Sequence, residues 1–136
     1  MAENWIVPCS VKFYDVVKHL EERSTIVWRK VSALRKGDIV YLYLGSPYSE
    51  IKFKCHIIDE NVDEETIQAN AYAIKKSDGL RKYKYIMLKL DYIYPEGTLS
   101  LVKLRTHGLG QTQTQARTDR KLQAYLDSVN ADLNVD

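Results

Sequence analysis

The apolar positions of this chain change period several times, and each change marks an element. Trp5-Ile6-Val7-Pro8 reads as a short first strand, stopped by a proline that cannot donate a ladder bond. Between Phe13 and Arg23 the period lengthens. Phe13, Val16, Val17 and Leu20 fall at i, i+3, i+4 and i+7, the stripe of an amphipathic helix, with Ser10 placed to cap it. Ser24–Val31 carries Ile26, Val27 and Trp28 and is extended in preference. Leu34–Asp38 is a turn, and Ile39–Leu44 is a strand buried on at least one face. Gly45-Ser46-Pro47-Tyr48 breaks that strand, and Ile51–Ile58 resumes one with Ile51, Phe53, Cys55 and Ile57 alternating. Asn61–Thr66 is an acidic loop. Tyr83–Tyr94 alternates at Tyr83, Tyr85 and Met87 until Pro95-Glu96-Gly97 ends it. Leu99–Leu104 predicts a short helix, His107–Gly110 a turn and Gln111–Thr118 a polar run. Asp119–Val129 predicts a last helix with Leu122, Tyr125, Leu126 and Val129 on one face.

Five or six strands with helices between and after them, and no regular βαβ alternation, predict an α+β fold. Its mostly antiparallel or mixed sheet curls into a barrel with flanking helices. The expected organisation is one domain over residues 1–136, with 1–130 as the ordered core and 131–136 frayed.

Composition narrows the functional classes. Hydrophobic residues make up 45% and charged residues 28% of the 136, an ordinary globular profile. The longest apolar-leaning stretches are strand-length, so no membrane association is expected. Met1-Ala2-Glu3-Asn4 lacks the basic and apolar regions of a secretory signal, and a cytoplasmic location is the expectation. Cys9 and Cys55 have no CxxC partner and read as buried, reduced thiols. A net charge of +2 is too small to hold nucleic acid by charge alone. If nucleic acid is the partner, a small basic face must be joined by something specific, such as a pocket for a base.

The motifs of catalysis are missing. His19, His56 and His107 have no ligand neighbour at metal-binding spacing, so no metal and no cofactor is expected. There is no nucleophile elbow, P-loop or GxGxxG. Cys55 and His56 are adjacent on a strand and point to opposite faces, which rules out a dyad. On these grounds the chain is expected not to be an enzyme. The aromatic residues remain, with 10 tyrosines in the chain. Tyr41 and Tyr43 share one strand face, and Tyr48 follows the Ser46-Pro47 break. A broken strand frees N–H and C=O groups that can read the edge of a planar base while rings cover its faces. Each stacked base is worth roughly 1–3 kcal/mol. The competing reading, with the aromatics as barrel core, applies equally to Tyr41 and Trp28 and less to Tyr48 in its loop.

Asn4-Trp5-Ile6-Val7-Pro8, Lys36-Gly37-Asp38-Ile39-Val40-Tyr41-Leu42-Tyr43 and Ser46-Pro47-Tyr48, followed by the strand Ile51–Ile58, resemble the EVE domain. Leu104-Arg105-Thr106-His107-Gly108-Leu109, a polar loop with Ala116-Arg117 and a closing helix at Tyr125-Leu126 extend the resemblance over nearly the whole chain. That family belongs to the PUA-like superfamily with the YTH and ASCH domains. The resemblance implies a five- or six-stranded PUA-like barrel whose pocket takes a flipped, modified base. For EVE modules that base is a modified cytosine in DNA, often beside a restriction nuclease; for YTH relatives it is N6-methyladenine in an aromatic cage. Extruding the base costs a few kcal/mol that the pocket must return. Carried over, Trp5 and Trp28 are cage walls, Tyr43, Ser46, Pro47 and Tyr48 line the pocket mouth, and Arg117 meets a phosphate or the base edge. The sequence departs from the family's Gly-x-Ile-Gln-Gly-Pro-Arg loop, reading Gly110–Gln115 before Ala116-Arg117. Gln111, Gln113 and Gln115 offer amides to a base or backbone, or form a solvated loop. Lys75, Lys76, Arg81, Lys82 and Lys84 around Ser77-Asp78-Gly79 read either as phosphate contacts, Lys82 and Lys84 foremost, or as a solvated hairpin.

The expected function is therefore a non-catalytic module that recognises a modified base in nucleic acid, DNA before RNA. Its partner would be the nucleic acid, with a separately encoded nuclease possible. The alternatives are an RNA modified-base reader, a small-molecule or structural barrel whose aromatics are only core, and, last, an ASCH-type enzyme acting on a modified nucleoside, for which no catalytic Lys/Glu/Thr constellation is recognisable.

Overall fold

The structure, a computed structural model, describes residues 2–9, 16–29, 33–63 and 84–135. Ser10 and the basic residues Lys75, Lys76, Arg81 and Lys82 lie outside the described residues. The elements run β1 (Asn4–Cys9), α1 (Val16–Glu22), β2 (Thr25–Arg29), β3 (Ile39–Leu44), β4 (Glu50–Asp59), β5 (Tyr85–Ile93), α2 (Leu101–Thr106), β6 (Ala116–Arg117) and α3 (Arg120–Asp132). Six strands form one mixed sheet in the order β2-β5-β4-β3-β1-β6, the expected α+β architecture. Among the described residues only β1 and β3 run parallel. The other pairings are antiparallel, and β2 and β6 end the ladder without meeting. No helix among the described residues is long and apolar enough to cross a membrane.

The proline expected to stop the first strand sits inside it. β1 continues to Cys9, and Pro8 pairs with Tyr43. The carbonyls of Glu3 and Cys9 accept from Ile39 and Gly45 on the β3 side, and the Asn4 carbonyl accepts from Thr118 on the β6 side. Alternation therefore turns the Pro8 nitrogen towards β6, which already ends opposite Ile6. The missing N–H faces no ladder partner, so the strand tolerates the ring.

The sheet is buried on both faces. Trp5, Val7 and Cys9 of β1, Val40, Leu42 and Leu44 of β3 and Phe53, Cys55 and Ile57 of β4 form one core with Val16 and Leu20 of α1. Ile6, Tyr41, Tyr43, Ile51, Tyr94 and Leu99 form a second core with Leu104 of α2 and Leu122 and Leu126 of α3. Ile51 and Phe53 thus fall into different cores, although their spacing predicts one face. The register slips between Leu42 and Tyr43, which pair with Phe53 and Ile51, so Lys52 is an extra residue. One extra residue reverses the phase of everything beyond it. In β5 likewise, the main core takes Ile86 and Leu88, while Tyr85 packs with Val27, Val62 and Met87 in a smaller cluster.

The short helix predicted at Leu99–Leu104 begins two residues later, because Ser100 is its cap and accepts from the Lys103 N–H. Asp119 caps α3 in the same way through Leu122. Across the second core, the Tyr94 hydroxyl donates to Asn130 Oδ1 (2.5 Å), and Asn130 Nδ2 donates to the Tyr41 hydroxyl (3.1 Å). These contacts tie the last turns of α3 to β3 and the end of β5.

Candidate functional site

The turn before β3 is built around one carboxylate. Gly37 adopts φ +93°, a conformation that favours glycine, and this delivers Asp38 to the interior at 3% exposure. Asp38 Oδ1 accepts from the Glu3 N–H (3.0 Å). Its Oδ2 accepts from the indole Nε1–H of Trp5 (3.0 Å) and the N–H of Arg35 (3.1 Å). Its backbone N–H donates to the Arg35 carbonyl and its carbonyl accepts from Ile57. The side chain therefore fastens β1 to the turn, the backbone of the same residue joins the turn to β4, and the charge is spread over three donors.

Above this anchor lies Arg117. The β1–β6 register sets it opposite Trp5, and its guanidinium carbon stands 5.1 Å from the centre of the indole ring. That is a cation–π arrangement, worth about 0.5–1 kcal/mol where it is exposed. Arg117, Arg35 and Lys36 border a cleft of ≈ 520 Å³ whose wall includes Asp38 and Glu3. The side chains of Arg35 and Lys36 have no ion-pair partner among the described residues, and Arg117 has only the ring beneath it. On the other side of the β1–β6 ribbon a cleft of ≈ 460 Å³ is bordered by Glu3, Asn4, Thr118, Arg120, Gln123 and Asp127. The ribbon separates a cleft rich in positive charge from one richer in carboxylates.

The residues expected to form one pocket are distributed over this frame. Trp5 is 6% exposed, packed in the first core and covered by Arg117. Trp28 packs against the same core from β2, at the far end of the sheet order. Tyr43 is 4% exposed and lies in the second core, on the opposite face of the sheet from Trp5. Ser46, Pro47 and Tyr48 form an exposed turn with a cis Ser46–Pro47 bond, and Tyr48 is 42% exposed. The structure thus brings Trp5 and Arg117 together, and it holds Tyr43 and the Ser46–Tyr48 turn apart from them.

The strand break is also less open than expected. The Gly45 N–H donates to Cys9, the Tyr48 and Ser49 N–H groups donate to the Gly45 carbonyl, and the Ser49 carbonyl accepts from Leu101. Turn closure and the start of α2 take up several of the backbone groups that a broken strand would offer a base. Gln113 is exposed in a loop that Gln111 closes on itself, its Oε1 accepting from the N–H groups of Gln113 and Thr114. Lys84 is exposed just before β5, and Lys82 lies outside the described residues.

Asp38, Arg35 and Lys36 were not singled out by the sequence. Their turn was legible, but only the long-range bonds to Glu3 and Trp5 reveal what Asp38 holds. A second pairing of this kind is His56 with Asp91, Nδ1 lying 2.8 and 3.0 Å from the carboxylate oxygens. A register slip in β5 between the partners of Lys54 and Cys55 places Asp91 there. Cys9 and Cys55 are free and buried, and burial pushes the Cys9 thiol up to about 12 and that of Cys55 further. Among the described residues no group of three or more His, Cys, Asp or Glu side chains is placed to hold a metal.

No protein-family model and no curated protein matches the sequence at a significant level. Solved structures do match in fold. A hypothetical protein from Leishmania major superposes with a TM-score of 0.65 at 15% identity, covering 98% of both chains. The ASCH protein from Zymomonas mobilis, in a variant with one serine replaced by alanine, gives 0.59 at 12% identity over 93% of this chain and 96% of that one. A second variant of it, with one tyrosine replaced by phenylalanine, gives 0.59 at 10% identity over 93% and 97%. At these identities the likeness shows the PUA-like fold and not the family.

It does overturn one expectation. The chain was expected not to be an enzyme because local motifs are missing, yet it shares its fold with an ASCH protein studied through substitutions that each delete a single hydroxyl. Chemistry assembled from single residues on separate strands leaves no spacing signature, as the separation of His56 from Asp91 illustrates. A missing motif is therefore no ground for excluding catalysis.

Proposed function

We propose that this chain is a single-domain nucleic-acid-binding module of the EVE type, which recognises a modified base, a modified cytosine in DNA foremost. In the cytoplasm it would act as a sensor or adaptor beside a separately encoded nuclease. The observation that carries the reading is the pairing of Arg117 with Trp5 at the edge of a basic cleft, at two positions the EVE resemblance names. An indole edge fixed by a carboxylate and a guanidinium laid on its face give a rigid, positively charged rim, and rigid rims suit backbone contacts beside a flipped base. The PUA-like fold supports a nucleic-acid partner.

The burial of Trp5 and Tyr43 favours a second reading, a small-molecule or structural barrel whose aromatics are core. One titration separates the two. Oligonucleotides carrying cytosine, 5-methylcytosine, 5-hydroxymethylcytosine or N6-methyladenine, as DNA and as RNA, are expected to differ in affinity, with a modified cytosine in DNA tightest. Equal affinity for all of them would falsify base recognition. Absence of binding to any of them favours the second reading.

A further inference from the structure

We propose that the cleft beside Arg117 is a phosphate site, taking the phosphate of one nucleotide between Arg35, Lys36 and Arg117, with Asp38 as its positioning residue. Three cations from two separate segments border one concavity, and none is neutralised by a carboxylate among the described residues. The carboxylates nearby are Asp38, whose oxygens are occupied by three N–H donors, and the exposed Glu3. At ≈ 520 Å³ the cleft has room for one nucleotide. Arg117 is suited to the task because its guanidinium stands over the Trp5 ring and meets no carboxylate among the described residues, which leaves its N–H groups for a fork on phosphate oxygens.

Asp38 sets this arrangement without touching the ligand. It holds the Arg35 backbone directly, and it holds Arg117 through the indole that it fixes. A negative charge beside an anion site is otherwise unfavourable, so charge and position make opposite predictions for its removal. If Asp38 acted only through its charge, Asp38→Asn would tighten phosphate binding. If it positions the cations, Asp38→Asn loosens it.

The phosphate could belong to a free nucleotide or to a strand, so the test uses cytidine, cytidine 5′-monophosphate and a short single-stranded oligodeoxynucleotide, titrated by calorimetry at low salt. Wild-type protein is expected to bind the monophosphate at least tenfold more tightly than cytidine. Arg117→Gln should weaken binding of the monophosphate and the strand about tenfold each, while Arg105→Gln, exposed on α2, leaves both unchanged. Asp38→Asn should lose a similar factor and move the Trp5 indole N–H resonance upfield in the 1H–15N spectrum. Should Asp38→Asn fail to fold, Trp5→Phe removes the same anchor with no change in charge and should show the same loss.

Cytidine binding as tightly as its monophosphate, or an unaffected Arg117→Gln, overturns the site. Unchanged or tighter binding in Asp38→Asn overturns the positioning role. The idea deepens the nucleic-acid reading, and the two can fail separately. A strand that binds regardless of Arg117→Gln leaves that reading and removes the phosphate site; a monophosphate that binds while strands do not does the reverse.

Discussion

Asn130 provides a direct test of how the second core is held. Asn130→Ala removes both the acceptor of the Tyr94 hydroxyl and the donor to the Tyr41 hydroxyl, and both phenols are buried, at 0% and 1% exposure. A buried donor or acceptor left without a partner costs about 1–3 kcal/mol. Two such groups give roughly 2–6 kcal/mol, from which about 0.5 kcal/mol is regained because alanine is the better helix former within α3. The expected loss is thus roughly 1.5–5.5 kcal/mol, a large part of the ~5–15 kcal/mol that a domain possesses. Urea titration followed by tryptophan fluorescence should show a lower midpoint at unchanged slope, since the surface exposed on unfolding is the same. The combined variant Tyr41→Phe, Tyr94→Phe, Asn130→Leu provides the control. It removes every polar member of the network at once and should recover much of the loss, because no orphaned hydroxyl remains. A shift below about 0.5 kcal/mol for Asn130→Ala would refute the view that this network is a buried, mutually satisfied unit.

Two further predictions concern burial and the site turn. Burial raises the thiol of Cys9 from 9.0 to about 12 and raises Cys55, Tyr41 and Tyr94 as well. The folded values lie above the unfolded ones, so this stabilisation is complete below pH 9.0 and is lost as pH climbs towards the folded values. Each cysteine should therefore remove about 1.4 kcal/mol per pH unit above that point, and stability constant up to pH 10.5 would contradict the burial. At Gly37 a Cβ would meet nothing within 4 Å, so Gly37→Ala tests the backbone alone. With φ at +93° it should cost about 1 kcal/mol or slightly more, read as a lower melting temperature. A neutral result would show that the turn relaxes without moving Asp38.

What the sequence made legible followed from short-range rules. Ile39–Leu44 forms a strand at the bounds its β-branched and aromatic run predicts, and Asp119 caps the last helix where the apolar stripe begins. Face assignment was less legible, because a single extra residue at Lys52 moves Ile51 into the other core, and no local pattern announces a bulge. The site was the least legible part. Trp5 and Arg117 could be named through resemblance, but the carboxylate that fixes one beneath the other comes from a turn whose own sequence speaks only of Gly37 and φ. Long-range pairing of this kind is decided by topology, which periodicity does not encode.

The placement of β1 also bears on the order in which the molecule can be completed. Its parallel neighbour β3 is made early, but its other neighbour, β6, lies close to the opposite end of the chain. Contacts between distant segments carry the largest loop-closure entropy and form slowly. A chain emerging from the ribosome can assemble β3, β4 and β5 while β1 still lacks its second partner, and until Arg117 appears the Trp5 ring has no guanidinium over it. The basic cleft therefore cannot be complete on a chain that stops before Arg117. Its assembly waits on β6, and a bound anion would act as a late clasp on an otherwise finished sheet.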